Sequence, residues 1–181
     1  MPAPDHEATR AFRFAEPADG PAIVALVESA YRGASSRAGW TTEAHLLEGQ
    51  RTDLAAVAAL VGAAGSEVLL LSVDGELVAC CHLAREGEGI VYLGLFAVRP
   101  DRQGAGLGGA IVAEADRLGR SWGAARIRMT VISARHDLLA WYHRLGFEPT
   151  GDTEPFPYGD ERYGIPTVTD LEFIVLERAV T

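Results

Sequence analysis

The chain of 181 residues carries 16 basic and 25 acidic residues, and its net charge of −9 argues against nucleic acid as a partner and mildly favours a basic or neutral small substrate. Its hydrophobic content of 48% suffices for one buried core, and no apolar run approaches the ~20 residues of a membrane span. Residues 1–9 lack the basic start and apolar stretch of a signal peptide. We therefore expect a cytoplasmic protein with no membrane partner, a disordered tail over residues 1–9 and a single domain over residues 10–181.

The first half of the chain predicts one strand, three helical segments and an antiparallel meander. Apolar residues recur at helical spacing after Asp19, a short helix is expected after Thr42, and a further helix begins at Asp53. Alternating apolar residues and the Asp74-Gly75 turn predict strands over residues 11–15, 67–73, 76–85 and 90–98. The last three strands form an antiparallel meander, because only tight turns separate them.

The second half predicts two helices and three further strands. One helix follows a glycine-rich stretch and the other covers residues 134–145. The strands cover residues 125–132, 147–150 and 170–178, and the order strand, helix, strand implies that the first of them runs parallel to residues 90–98. A loop of roughly 18 residues after residue 150 is long enough to indicate a functional role.

The two cysteines, Cys80 and Cys81, are adjacent on a predicted strand. Because neighbouring strand residues point to opposite faces, the two thiols do not form a shared metal site. We expect both to be small core residues, and the sequence predicts no metal.

Four glycines, at positions 104, 106, 108 and 109, lie between the strand of residues 90–98 and the helix that follows it. Because glycine has no Cβ, several backbone N–H groups can converge there on one anion, and the positive end of the helix adds to the attraction. The stretch is therefore a candidate phosphate cradle.

Two common phosphate-binding loops fit this stretch poorly. A P-loop ends in Gly-Lys-Ser/Thr, and the chain contains no lysine. The dinucleotide pattern Gly-x-Gly-x-x-Gly is matched by Gly104, Gly106 and Gly109, but five residues separate it from its strand. Arg126 and Arg128 occupy the region where that fold carries an acidic residue, so a nucleotide oxidoreductase is a distant alternative.

The stretch resembles the pyrophosphate loop of the Gcn5-related N-acetyltransferase (GNAT) superfamily, whose pattern Gln/Arg-x-x-Gly-x-Gly/Ala is matched by Gln103, Gly106 and Gly108. A second resemblance lies in residues 135–147, where Tyr142 and the Gly-Phe pair that follows four residues later fit the superfamily's spacing. The order of the predicted elements is also that of the superfamily. The resemblance implies the α/β (α+β) GNAT fold, with a mixed, mostly antiparallel sheet of about seven strands, a splay between the fourth and fifth strands, and about four flanking helices.

The resemblance implies an acyl-CoA-dependent N-acetyltransferase that moves an acetyl group from acetyl-CoA to the primary amine of a small molecule or peptide by direct attack in a ternary complex, without a metal. Tyr142 would be the acid that protonates the leaving thiolate. A strand bulge near residues 94–96 would aim an amide at the thioester oxygen. The implied coenzyme-binding residues are Phe96, Ala97, Val98, Gln103, Gly104, Ala105, Gly106, Leu107, Gly108, Gly109 and Arg135.

Arg135 stands where the superfamily usually carries an asparagine. That asparagine bonds the pantetheine arm or fixes the start of the helix, whereas an arginine could instead meet a coenzyme phosphate. The sequence leaves these roles open.

The acceptor pocket is expected between residues 31–51 and residues 156–166, with Tyr31, Trp40 and Tyr158 as candidate aromatic walls. This arrangement suits a small molecule as well as a peptide. The sequence does not name the amine.

The general base is open, because Tyr92 stands where many relatives carry a glutamate. His82, Glu43 and His45 are candidates, and the amine could also lose its proton to solvent. Because the glutamate is missing and Arg135 replaces the usual asparagine, a non-catalytic acyl-CoA-binding sensor on the same fold stays open as an alternative. A homodimer is possible.

Overall fold

A seven-stranded mixed sheet forms the centre of the computed structural model, which describes residues 8–181 apart from the side chain of residue 88. The strands are β1 (Arg10–Phe14), β2 (Leu47–Glu48), β3 (Ser66–Val73), β4 (Glu76–Glu86), β5 (Ile90–Val98), β6 (Arg126–Ile132), β7 (Glu148–Pro155), β8 (Ile165–Pro166) and β9 (Glu172–Ala179). The helices are α1 (Gly20–Tyr31), α2 (Gly33–Ser36), α3 (Leu54–Gly62), α4 (Leu107–Ser121) and α5 (His136–Arg144).

The sheet has the strand order β1-β3-β4-β5-β6-β9-β7, and β2 pairs with β8 in a separate ribbon. Only β5 and β6 run parallel among the paired neighbours of the main sheet as described. Their pairing covers three positions and ends at Tyr92 opposite Arg128. Beyond that point β6 continues to pair with β9 as far as Ile132, so β5 and β6 diverge. The predicted splay between the fourth and fifth strands of the sheet is confirmed.

A bulge interrupts β5 beside the splay. The β4–β5 register shifts between Cys80 and His82, so that two residues of β5, Leu95 and Phe96, stand opposite one residue of β4. Leu95 has φ +44, a left-handed conformation that is rare for a branched side chain. The bulge predicted near residues 94–96 is therefore confirmed, and it redirects the backbone at the point where the two strands separate.

The two faces of the sheet carry separate hydrophobic clusters. One cluster packs β3–β6 against α4 and includes Leu71, Cys81 and Ile111. The other packs the opposite face against α1 and α3 and includes Ile23 and Cys80. The cysteines alternate between the two faces and are both fully buried, as the strand period requires.

Three local predictions about the chain differ from the structure. The short helix expected after Thr42 is wrong, because residues 44–46 form a turn that leads into β2. The four-residue helix α2 forms at residues 33–36, where the sequence predicts no helix, and there are five helices among the described residues. The strand expected over residues 147–150 extends to Pro155 as β7. Because β7 lies at the edge of the sheet and pairs only with β9, its prolines leave no buried ladder position unpaired.

The predicted tail over residues 1–9 falls mainly outside the described residues, which begin at residue 8. Within them, Thr9 exchanges hydrogen bonds with Asp74, its N–H donating to the carboxylate at 2.9 Å. No helix within residues 8–181 is long and apolar enough to cross a membrane. The same residues contain no cluster of three or more His, Cys, Asp or Glu side chains placed to hold a metal ion.

Candidate active site

The glycine-rich loop between β5 and α4 presents its backbone outward. Gly104 has φ +85 and Gly106, the N-cap of α4, has φ +74, both in the left-handed region that favours glycine. The first backbone bond of α4 runs from the Ala110 N–H to the Gly106 carbonyl, so the amides of residues 107–109 lie ahead of the helical ladder. A Cβ at Gly104 or Gly106 would meet nothing within 4 Å. The loop is thus open, positively polarised backbone suited to an anion.

A first cavity of about 590 Å³ lies against this loop. Eight of the eleven predicted coenzyme-binding residues line it, and they are Phe96, Val98, Gln103, Gly104, Gly106, Leu107, Gly108 and Gly109. Of the other three, Ala97 is buried in the core, Ala105 lies beside Arg10, and Arg135 lines a different cavity. The structure therefore brings most of the predicted set together.

Two arginine side chains that line the first cavity were not predicted from the sequence. They are Arg102 and Arg144. Arg144 follows Trp141 by three residues on α5, which places both on one helix face. That spacing was a usable signal, since Trp141 also lines the cavity.

Aromatic rings close one side of the first cavity. A Cβ at Gly108 would lie 3.0 Å from Trp141, so the glycine makes room for this ring. Trp141 packs at 5.9 Å between ring centroids against both Phe96 and Trp40. Trp40, a candidate wall of the acceptor pocket, thus lines the first cavity together with the glycine loop.

The Gln103 side chain ties the loop to its surroundings. Its Nε2 donates to the Val98 carbonyl at 3.0 Å and to Thr41 Oγ1 at 2.7 Å, and its Oε1 accepts the Trp40 N–H at 2.8 Å. A Cβ at Gly39 would lie 2.4 Å from this Oε1, so only glycine permits the contact. Gln103 thus shapes the cavity through its side chain.

A second cavity, of about 890 Å³, occupies the splay. Its walls include residues 93–96 of β5, residues 129–132 of β6, and part of α3. Four residues line both cavities, and they are Tyr31, Phe96, Leu138 and Tyr142. We call these four residues the junction, since the two cavities meet there.

The two tyrosines of the junction differ in how their hydroxyls are used. The Tyr31 hydroxyl donates a hydrogen bond to the Phe96 carbonyl, and burial raises the pKa of Tyr31 to about 12. Tyr142 packs edge-on against Trp141 and Phe147, and burial raises its pKa well above the ordinary value of 10.0. Within the part of the chain that the structure describes, no protein group bonds the Tyr142 hydroxyl. Both phenols are protonated at neutral pH, and that of Tyr142 is free to donate.

Comparison with known proteins agrees with this geometry. A sequence model described as "Acetyltransferase (GNAT) family" matches residues 26–147, more than half of the chain. The chain belongs to the GNAT acetyltransferase family. It is therefore an acyltransferase by family, and the predicted resemblance is confirmed. No curated protein sequence matches the chain.

Solved structures share the GNAT fold over almost the whole chain. The ribosomal-protein-S18-alanine N-acetyltransferase from Escherichia coli has 17% identity and a TM-score of 0.67, covering 96% of this chain and 95% of its own. YncA from Salmonella typhimurium, solved with its cofactor acetyl-CoA, has 20% identity and a TM-score of 0.67, covering 95% and 94%. A GNAT acetyltransferase from Streptococcus pneumoniae has 16% identity and a TM-score of 0.65, covering 95% and 100%. At these identities the likeness shows the fold.

Arg135 takes a place in this GNAT domain that its sequence position does not reveal. Its side chain is 1% exposed and lines the second cavity, where NH1 donates to the Thr41 carbonyl at 3.1 Å. Its Nε donates to Asp137 at 3.2 Å, and its own carbonyl accepts the Leu139 N–H at 2.9 Å. Arg135 thus holds the start of α5, one of the roles left open, and lies away from the loop where a phosphate would bind.

Glu43 is fixed by arginines on the wall of the second cavity. Arg32 NH1 donates to Glu43 Oε2 at 2.7 Å, and Arg135 NH1 lies 3.8 Å from Oε1. All three side chains are buried. The carboxylate therefore has a structural partner on each oxygen.

His82 is a second candidate base on the wall of the second cavity. It lines the second cavity and stands opposite Gly94 in the β4–β5 register. Its Nε2 lies 2.8 Å from Ser66 Oγ, and burial lowers its pKa below the ordinary value of 6.5. His45 is exposed and lines neither cavity among those described.

Tyr158 lies outside the walls of both described cavities. It is half exposed, packs its ring against Phe156, and accepts the Leu171 N–H at 2.8 Å through its hydroxyl. The buried residue of this loop that lines the second cavity is Phe156.

Proposed function

We propose that this GNAT domain transfers the acetyl group of acetyl-CoA to the primary amine of a small molecule or peptide by direct attack in a ternary complex. The observation that carries the proposal is the junction, where a donor held in the first cavity and an acceptor held in the second share the same four walls. Acetyl-CoA as donor is supported by the YncA structure, which contains it.

The first cavity suits each part of the donor. The amides of residues 107–109 and the N-terminus of α4 offer donors and positive polarity to the pyrophosphate. Arg102 and Arg144 add positive charge beside the loop. The pantetheine arm, an amide chain, finds the edge of β5 that β6 leaves unpaired beyond Tyr92. The thioester then lies at the bulge, where a redirected amide stabilises the oxyanion.

Tyr142 supplies the proton that the reaction needs at sulfur. The amine nitrogen attacks the thioester carbon, the C–S bond breaks, and the departing thiolate takes the phenolic proton. The nitrogen loses a proton as the amide forms, and that proton restores the phenol directly or through solvent. Burial keeps the phenol protonated at neutral pH and equally disfavours a thiolate in the same surroundings. Tyr31 lines the junction as well, but its proton is committed to the Phe96 carbonyl.

His82 takes the proton that an ammonium group must lose before attack. Ser66 Oγ donates its one proton to the Leu60 carbonyl at 2.6 Å, so its contact with His82 must be an N–H donated by Nε2. This assigns the unprotonated nitrogen of the neutral ring to Nδ1. The lowered pKa keeps that ring neutral at pH 7.

Steady-state release of coenzyme A thiol, measured with acetyl-CoA and a broad panel of amines, tests the proposal. We expect turnover that depends on the amine and yields the N-acetyl product by mass spectrometry. Binding of acetyl-CoA without turnover by any amine would instead support the non-catalytic sensor.

A further inference from the structure

Two buried arginines share one carboxylate on the wall of the second cavity. The side chains of Arg32 and Arg135 are 6% and 1% exposed, and Glu43 lies between them. Arg32 makes a close ion pair with Glu43 at 2.7 Å, whereas Arg135 approaches it only to 3.8 Å. Glu43 thus contacts both guanidinium groups, and Arg135 has a second carboxylate in Asp137, whose Oδ1 lies 3.2 Å from its Nε.

The pair is rich in unused hydrogen-bond donors. Across residues 8–181, four buried side-chain nitrogen or oxygen atoms have no hydrogen-bond partner, and three of them are Arg32 Nε, Arg32 NH2 and Arg135 NH2. Buried polar groups are nearly always bonded, so such a cluster indicates a missing partner. A guanidinium presents only donors, and that partner must therefore be an acceptor.

The second cavity carries two further arginines. Arg51 and Arg162 line it with Arg32 and Arg135, beside three carboxylates, Glu43, Asp53 and Glu154. Arg162 is exposed and paired with Asp160, so the charges in and beside the lining balance. The net charge of −9 therefore lies elsewhere on the chain and does not exclude an anionic acceptor from this cavity.

We infer that the acceptor is an amine that also carries a carboxylate, which Arg32 and Arg135 bind while the amine faces the junction. A planar carboxylate matches the paired donors of a guanidinium, and its two oxygens supply the acceptor atoms that the unpartnered nitrogens lack. Free amino acids belong to this class. The inference rests on the proposed function, since it names the substrate class of the same cavity.

Matched pairs of compounds test this inference. Each pair consists of an amino acid and its primary amide, which keep the same amine and side chain and differ in the carboxylate. Affinity is measured by titration calorimetry on protein saturated with coenzyme A, and kcat/KM with acetyl-CoA. We expect at least one amino acid to exceed its amide about 100-fold in both measurements, because the amide replaces an acceptor oxygen by an NH2 group, which cannot accept from the buried guanidinium donors.

The Arg32→Lys variant tests whether Arg32 causes the preference for an amino acid over its amide. Lysine keeps the charge that pairs with Glu43 but loses the fork of donors, so the preference for acid over amide should fall at least about tenfold while acetyl-CoA affinity is unchanged. Arg120→Lys, at an exposed position on α4, is the matched control. If Arg32→Lys fails to fold, the double variant Arg32→Gln with Glu43→Gln removes both charges and should also abolish the preference.

The outcomes separate this inference from the proposed function. Acetylation of amides and neutral amines as efficiently as of amino acids would overturn the inference and leave the acetyltransferase intact. Tighter binding of amino acids than of amides without any acetylation would support the carboxylate site and overturn the proposed activity. Failure of every amino acid to bind better than its amide overturns the inference.

Discussion

The Tyr31 hydroxyl donates a hydrogen bond to the carbonyl of Phe96, at the bulge where β5 leaves β6. This bond commits one of the two junction phenols and leaves Tyr142 as the phenol with a free proton. The two residues share burial, ring type and cavity walls, so each serves as the control for the other.

Gly106→Asp tests the phosphate cradle. The substitution places a carboxylate at the N-cap of α4 and forces a side chain into a backbone conformation with φ +74. Wild-type protein should gain ~2.7 kcal/mol of stability at 100 times the dissociation constant of acetyl-CoA, and the variant should gain none. Thermal unfolding with and without the coenzyme measures the difference.

Gly123→Asp is the matched control for this experiment. Gly123 has φ +75 and follows the other end of α4, so it imposes the same backbone strain away from the loop. The Gly123→Asp variant should be less stable than the wild type but should still be stabilised by acetyl-CoA. If acetyl-CoA stabilised both variants equally, the glycine loop would not be part of the coenzyme-binding site.

Trp40→Ala tests the side of the junction on which this ring lies. Because Trp40 packs on Trp141 in the first cavity, its removal should raise the dissociation constant of acetyl-CoA several-fold, on the order of 1 kcal/mol for a lost aromatic pair. Tyr158→Ala, which removes a similarly exposed ring outside both cavities, should leave it unchanged. An effect of Trp40→Ala confined to KM for the amine would place the ring with the acceptor.

His82 predicts a shared pH dependence of activity and stability. Its folded pKa lies below the ordinary 6.5, so the folded state binds fewer protons than the unfolded chain between those values. The free energy of unfolding should therefore rise with pH through that interval and be lost as pH falls toward the folded pKa. kcat/KM for the amine should fall as the pH is lowered through the folded pKa, because the protonated ring accepts no further proton.

Ser66 and His82 variants separate this base from solvent. His82→Gln should remove the acid limb from both profiles, as measured by urea unfolding and initial rates. Ser66→Ala should shift the limb without altering acetyl-CoA affinity, and Ser66→Thr, which keeps the hydroxyl, should restore it. If the pH–rate profile of His82→Gln were unchanged, solvent and not His82 would take the proton that the ammonium group loses before attack.

Glu43→Gln tests the buried ion pairs. Removing this charge leaves the buried Arg32 guanidinium without its carboxylate and Arg135 with Asp137 alone, which should cost about 3–5 kcal/mol of folding free energy. Glu48→Gln, at an exposed position, should change stability by less than about 0.5 kcal/mol. Denaturant unfolding of the two variants measures both values, and equal costs would contradict the pairing.

Local signals were sufficient to predict the glycine loop, because glycines between a strand and a helix are a property of contiguous residues. The bulge was expected from the resemblance to the superfamily. Tertiary pairings were not predictable in this way. Arg135 and Glu43 lie 92 residues apart, so the local sequence around either residue does not indicate that the two side chains are in contact.

Two further features of the structure have physical causes of the same kind. β7 contains Pro149 and Gly151, which oppose a strand locally, and it forms because β9 offers a paired edge on which a register shift absorbs the irregularity. Trp40 lies beside the loop because Gly108 leaves room for Trp141. The strand β7 and the position of the Trp40 ring both depend on contacts with residues distant in sequence, and these contacts outweigh the local conformational preferences of the chain.

The central claim is that Tyr142 protonates the leaving thiolate. Tyr142→Phe keeps the ring that packs against Trp141 and Phe147 and removes only the proton donor. With the natural thioester, kcat should fall about 10²–10⁴-fold with KM for acetyl-CoA little changed, because the hydroxyl acts as the thiolate forms. Tyr31→Phe should cost much less.

The most direct measurement compares kcat of wild type and Tyr142→Phe on two thioesters whose thiols differ in pKa, under conditions where chemistry limits the rate. A thiol of low pKa leaves without a proton, so the account predicts that the loss shrinks toward unity with the activated thioester. An equal loss with both thioesters would show a packing defect, and full activity of Tyr142→Phe with acetyl-CoA would show that another group or water protonates the sulfur.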